Sequence, residues 1–263
     1  EKAVELDAQF AAAYAKLGET HAAVYWFYYD HTKERLEAAK KSIDKALALD
    51  PELGDAHQAL GYYYYWGFLD YDNALKELYI AQKSKPNDSR LMLGIGSVQR
   101  RQGKMELAAA TMAKGFELDP RSSEVAYNAA QTYALLRNYD EAYRLIDRAL
   151  TLAPDVAQRI LYKAALHWLS DGDTKAARTL IDQATASADV NDKILVQWHQ
   201  VFNEEYSGNY EKALAVFSSG LTIPIDNQFL FSPTSLQIAK LQALMGRQQL
   251  ARTYYDSARA TLE

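Results

Sequence analysis

An all-α solenoid, a right-handed superhelix of stacked antiparallel helix-turn-helix hairpins, is what the sequence predicts, and three observations predict it. Pro51, Pro86, Pro120 and Pro154 lie 35, 34 and 34 residues apart. A small residue, a bulky one four later and a small one three after that recur once in each period. A short polar turn separates that stripe from a preceding helix-like segment with a small residue at its centre.

The prolines come first because they set the period. Each closes an apolar segment with helical spacing, as in KALALDP (45–51), AKGFELDP (113–120) and RALTLAP (148–154). Proline cannot continue a helix, and it disfavours helical backbone in the residue before it. The small–bulky–small sets are Ala39/Ile43/Ala46, Ala74/Leu78/Ala81, Ala108/Met112/Gly115 and Ala142/Ile146/Ala149. They continue as Ala177/Ile181/Ala184, Ala213/Phe217/Gly220 and Ala251/Tyr255/Ala258. Steps of four and three place each set on one stripe of a helix. The central small residues of the first helices are Gly18, Gly61, Gly96, Ala130, Ala165, Val201 and Ala239. Polar turns such as RRQGKME (100–106), LLRNYDEA (135–142) and YSGNYEKA (206–213) join the two helices.

This rhythm closely resembles the tetratricopeptide repeat, with residues 87–154 the best match and nearly the whole chain covered. The reading is one domain over 1–263. It comprises the end of a truncated repeat (1–7) and repeats at 8–53, 54–88, 89–122, 123–156, 157–190, 191–226 and 227–263. Glu1–Asp7 reads as the tail of a helix already under way, so a fragment of a longer protein is expected. The first repeat holds about nine extra residues between His21 and Ala39, the second one extra at GFLD (67–70). The later repeats lose the closing proline, and residues 222–232 are expected to form an irregular connection. A looser C-terminal stack is therefore expected.

Composition narrows the function. The formal charge is −5 with a pI near 5.6, which argues against nucleic acid as a direct partner. Cysteine is absent, so disulfide and thiolate chemistry is excluded. No apolar run approaches the roughly 20 residues of a membrane helix, so no membrane association is expected. The five histidines never fall at metal-ligand spacing. The glycines of GIGSVQRRQG (94–103) lie inside a helix with no strand before it, unlike a phosphate loop. No nucleophile elbow occurs. No cofactor, metal site or catalytic residue is assigned, and a cytoplasmic location is favoured.

The resemblance implies that stacked first helices line a concave groove that takes a peptide or a partner protein. Counting from their central residues gives Gln58, Tyr62 and Tyr65; then Arg90, Leu93, Ser97, Arg100 and Arg101; then Tyr127, Asn128 and Gln131; then Arg159 and Lys163. Two subtypes of the family fit poorly. The clamp that holds acidic chaperone tails would find Asn128, Arg159 and Lys163 but meets Leu93 and Ser97. In the alternative register it meets Ala15, Glu19, Ala59, Arg90 and Gly94. An asparagine ladder would have one Asn, Asn128, among Lys16, Ala59, Gly94, Lys163, His199 and Gln237.

The aromatic runs YWFYY (25–29) and YYYYWGF (62–68) read either as a partner hot spot or as packing between repeats. Tyr62 and Tyr65 are the residues expected to be exposed. The basic group Arg90, Arg100, Arg101 and Lys104 would draw an acidic peptide, unless it is a solvated helix face. Phe229, Leu230 and Phe231 are expected to pack into the final hairpin, with docking in trans as the alternative. Self-association through an uncapped N-terminal end is a further expectation. Two functional readings follow: a non-catalytic interaction scaffold, or a sensor controlling an attached output domain. The second rests on ALGYYYYWG (59–67) and the first-repeat insertion, which look like the repeat regions of bacterial signalling proteins.

Overall fold

A computed structural model describes residues 2–188, 192–221, 224–227 and 230–263. The chain divides into two compact units, Glu1–Leu145 and Ile146–Glu263. The first holds α1 (Lys2–Leu6), α2 (Ala11–Trp26), α3 (Lys33–Leu49), α4 (Gly54–Phe68), α5 (Tyr71–Ser84), α6 (Ser89–Arg101), α7 (Met105–Leu118) and α8 (Ser123–Leu135). Helix α9 (Tyr139–Leu152) carries the boundary. The second holds α10 (Ala157–Ser170), α11 (Thr174–Ser187), α12 (Asp192–Tyr206) and α13 (Tyr210–Ser218). It continues with β1 (Ile225–Asn227), β2 (Leu230–Ser232), α14 (Thr234–Leu244) and α15 (Gln248–Leu262). The fold is all-α, built of stacked helical hairpins.

Local chemistry starts the helices where side-chain oxygens can accept orphan backbone N–H groups. Asp88 and Ser122 cap the first helices α6 and α8, while Thr32, Asp70 and Asp173 cap the second helices α3, α5 and α11. Between the two helices of a pair the chain needs a left-handed residue. Gly103, Gly172, Gly208 and Gly246 supply it at φ between +74° and +77°. Tyr28, Leu69 and Arg137 adopt the same geometry with a Cβ, which is strained for such residues.

The small–bulky–small stripe is the core. In unit 1, Ala39, Ile43, Ala46, Ala74, Leu78, Ala81, Ala108 and Met112 have no exposed surface. The central glycines of the first helices make this possible. A Cβ on Gly18 would lie 2.5 Å from Ile43 Cγ1, on Gly61 2.7 Å from Leu78 Cγ, and on Gly96 2.7 Å from Met112 Cγ. The bulky residue of the second helix thus rests on bare backbone of the first. Within unit 1, α2, α4, α6 and α8 also touch in succession, so the first helices share one face. In unit 2, α10 packs on α11 and α12, and α13 on α14.

The stripe degrades towards the end, as the lengthening spacings predict. Phe217 is half-buried, Gly220 lies beyond the end of α13, and Tyr255 is 43% exposed. Residues 222–232 depart from the expected irregular connection. Ile225–Asn227 and Leu230–Ser232 pair antiparallel, with Asp226 opposite Phe231, in a two-stranded ladder. Residues 222, 223, 228 and 229 lie outside the described residues, and with them Phe229 of the aromatic trio. The first-repeat insertion lengthens α3 to 17 residues and shapes the turn before it. There His31 is sandwiched between Tyr25 and Tyr28, with centroids 3.8 and 4.2 Å away.

Candidate functional site

The exposed half of the first helices in unit 1 frames a cleft of about 170 Å³. Its walls are Ala12, Lys16 and Glu19 of α2, Asp55 and Gln58 of α4, Arg90 of α6, and Lys85 and Asp88 from the turn before α6. Three cations face three anions. Lys16 pairs with Glu19 at 2.9 Å, and Lys85 reaches both Asp55 and Asp88 at 2.8 Å. Gln58, 6% exposed, accepts a third bond from Lys85 Nζ at 2.7 Å. Burial opposes the Lys85 charge, but its hydrogen bonds to Asp55 and Asp88 outweigh that and hold its pKa above the ordinary value. The Asp88 carboxyl likewise resists its own burial, and Lys85 with the α6 N–H groups holds it below the usual carboxylate range. Arg90 makes no side-chain bond among the described residues, so its guanidinium is the cleft's unspent donor.

Three expected groove residues, Tyr62, Tyr65 and Leu93, lie beneath this surface instead of on it, Leu93 at 9% exposure. Tyr62 is 7% and Tyr65 4% exposed, against the expectation of exposure. Tyr62 stacks on Trp66 at 4.2 Å and 4°, and its hydroxyl donates to the Arg90 carbonyl at 3.3 Å. It fits because Gly94 has no side chain: a Cβ there would meet Tyr62 Oη at 2.5 Å. Tyr65 packs on Trp26 at 5.0 Å and accepts from Arg101 Nε at 3.4 Å. Burial pushes both phenols up in pKa. The second aromatic run is therefore chiefly mortar between hairpins, while Phe27, Tyr28, Tyr29 and Phe68 are the exposed rings of the two runs.

The remaining candidates fall in both units. Arg100 is engaged internally, donating to the Asn128 carbonyl at 3.3 Å and to Thr132 Oγ1 at 3.2 Å. Ser97, Tyr127, Asn128 and Gln131 are half-buried. Gln131 donates to Tyr127 Oη at 2.9 Å, and Asn128 Nδ2 to the Glu124 carbonyl at 3.0 Å. Arg159 and Lys163 stand on α10 in the other unit, half-buried, with Lys163 paired to Asp147 at 2.7 Å. Sequence reasoning missed Asp55, Lys85 and Asp88, because two of these come from the turn and not from the counted helix positions. Lys16 and Glu19 were visible at groove positions of the first repeat. No group of three His, Cys, Asp or Glu side chains suited to a metal occurs among the described residues. No helix among them is long and apolar enough to cross a membrane.

Comparison with known proteins follows the same lines. A family model described as tetratricopeptide repeat matches residues 123–156, the α8–α9 hairpin. Anaphase-promoting complex subunit 3 of Schizosaccharomyces pombe is 28% identical over 156 residues, 59% of this chain, which spans only 22% of that protein's length. A tetratricopeptide repeat protein from Parabacteroides merdae superposes with TM-score 0.69 at 16% identity, covering 93% of each chain. YrrB, described as a repeat protein of this type with an unusual peptide-binding site, gives TM-score 0.51 at 20% identity, covering 74% of this chain and 94% of its own. Proteins of this family generally mediate protein–protein interactions. The 34-residue period, the buried stripe and the matched α8–α9 hairpin give this chain the fold of the tetratricopeptide-repeat proteins it resembles.

Proposed function

We propose that the first-helix face of unit 1 is a non-catalytic recognition surface that takes an extended peptide segment of a partner protein. Arg90 anchors an acidic side chain or carboxylate of that segment at the cleft between α2, α4 and α6. Ser97, Tyr127, Asn128 and Gln131 offer polar contacts further along the face. The observation that carries this reading is the unpaired Arg90 guanidinium in a cleft whose other cations are already matched by anions. A planar, permanently charged fork is the donor best suited to a carboxylate. The paired charges around it set register and reject mismatched segments, since like charges brought together cost energy. The peptide-binding site described for YrrB, on the same fold, supports the class of ligand. Membership of the Schizosaccharomyces pombe relative in a named complex supports the scaffold role.

Selection of peptides from a random display library, followed by fluorescence polarisation, tests the reading. Arg90→Ala is expected to weaken the selected acidic peptides about tenfold, the range for losing one charge-assisted hydrogen-bonded contact. Arg90 is exposed, so the variant keeps its fold. Equal binding by Arg90→Ala and by the double variant with Asn128→Ala would remove the face from consideration.

A further inference from the structure

The α12–α13 hairpin departs from the others at its centre. Where earlier first helices place Gly18, Gly61 or Gly96 under one bulky residue, this pair sets Val201 against Phe217. Two large side chains at the crossing keep helices from closing as tightly as glycine allows. A second cleft, of about 200 Å³, opens here between α11, α12 and α13. It is lined by residues of unit 2 and owes nothing to the peptide reading.

Its floor holds a polar group that the fold leaves unfinished. Asn203 is 1% exposed, and its Oδ1 accepts from Trp168 Nε1 at 2.9 Å. An indole can only donate, so the amide orientation is settled and Nδ2 points the other way. That Nδ2 is buried with no hydrogen-bond partner. Beside it, Glu204 is already satisfied: Arg178 holds Oε1 at 2.7 Å and Asn209 Nδ2 donates to Oε2 at 2.9 Å. Lys212 of α13 and Asp182 of α11 line the rim, and neither makes an ion pair among the described residues. Ile181 and Val216 supply the apolar wall. The cleft thus offers one buried donor, one unmatched cation, one unmatched anion and a short hydrocarbon surface.

We propose that this cleft binds a small zwitterion of the free α-amino acid class. Its carboxylate would lie between Asn203 Nδ2 and Lys212, its ammonium on Asp182, and its side chain against Ile181 and Val216. An inorganic anion would answer Asn203 and Lys212 but leave Asp182 facing a like charge. A simple amine would leave the buried amide donor unmet, and buried donors are costly when unpaired. The volume is below the roughly 300 Å³ at which drug-sized pockets begin, which confines the occupant to a small molecule.

Trp168 provides the readout, because its indole N–H is bonded to the same amide. The chain has four tryptophans, so ¹H–¹⁵N spectra show four indole signals, with Trp168 assigned through Trp168→Phe. Common L-amino acids are titrated singly to about 10 mM, above the millimolar affinity of a weak site. At least one is expected to shift the Trp168 signal saturably while the Trp26 and Trp66 signals stay in place. The corresponding N-acetyl and carboxamide derivatives, and the exposed-site variants Asp182→Ala and Lys212→Ala, are each expected to bind about tenfold more weakly, as for loss of one charged contact. No saturable shift with any amino acid overturns the proposal, and Asn203 Nδ2 then serves only water. Undiminished binding of the blocked derivatives, or by both variants, overturns it equally.

Discussion

The α4–α5 and α12–α13 hairpins follow one ground plan and close differently. In the first, Gly61 lets Leu78 sit on bare helix backbone, and Leu78 is fully buried. In the second, Val201 and Phe217 meet, α13 ends after nine residues and Phe217 remains half-buried. The aromatic Trp198 leans on Phe217 at 5.6 Å to fill part of the space. The isopropyl group of Val201, where Gly61 has no side chain, separates a hairpin that closes as dry core from one that keeps a polar cleft. Tight closure is the default of the repeat, and the opened hairpin is where the buried polar residues Asn203 and Glu204 can exist.

The largest effect should separate the two hairpins by cavity cost. Leu78→Ala removes a fully buried side chain and is expected to cost about 3–4 kcal/mol, within the range for buried leucines. Phe217→Ala, half-exposed already, should cost about 2 kcal/mol despite the larger deletion. Local hydrogen exchange is the suitable measurement, since repeat arrays lose stability hairpin by hairpin. Equal costs would show that both hairpins are closed alike.

A smaller effect contrasts the turns. Leu69 holds φ +53° where the α10–α11 turn uses Gly172 at φ +74°. Relief of the left-handed strain predicts that Leu69→Gly stabilises by about 1 kcal/mol, and that Gly172→Ala loses about as much. Urea midpoints read both signs, and a destabilised Leu69→Gly would assign that side chain a packing role that outweighs strain.

The smallest expected effect is a pH response confined to the second unit. The His199 ring lies against Trp168 at 5.7 Å and donates from Nδ1 to the Leu195 carbonyl at 2.8 Å. Burial holds its pKa below the ordinary 6.5. The unfolded chain therefore takes up the proton first as pH falls through 6.5, so stability is present above that value and is lost below it. Exchange protection of α12 should drop between about pH 7.5 and 5.5, and His199→Phe should flatten the response. An unchanged slope in the variant would assign the response to other groups.

Much of this was legible in the chain because its signals are local and repeated. Pro51, Pro86 and Pro120 stop helices wherever they stand, and Asp88 or Ser122 starts them. The stripe Ala74/Leu78/Ala81 needs only helical geometry to be read as one face. The site was legible less well. Arg90 and Gln58 were found by counting along first helices, but Lys85 and Asp88 join them from the turn before α6, and Asp55 of α4 joins through its ion pair with Lys85. The burial of Tyr62 depends on an absence, the missing side chain of Gly94 on the next helix, and that of Tyr65 on Trp26, which reaches it from α2.

By itself, then, the amino-acid order determined the helices, their period and which stripe of each is apolar, since these depend on spacing within a few turns. Only the tertiary structure decided which polar side chains are spent on one another and which are left with unmet donors. Those outcomes turn on sub-ångström questions of approach between distant segments: Tyr62 under Gly94, Lys85 across to Asp55, Asn203 against Trp168. No periodicity encodes them, because each is a meeting of two residues far apart along the chain.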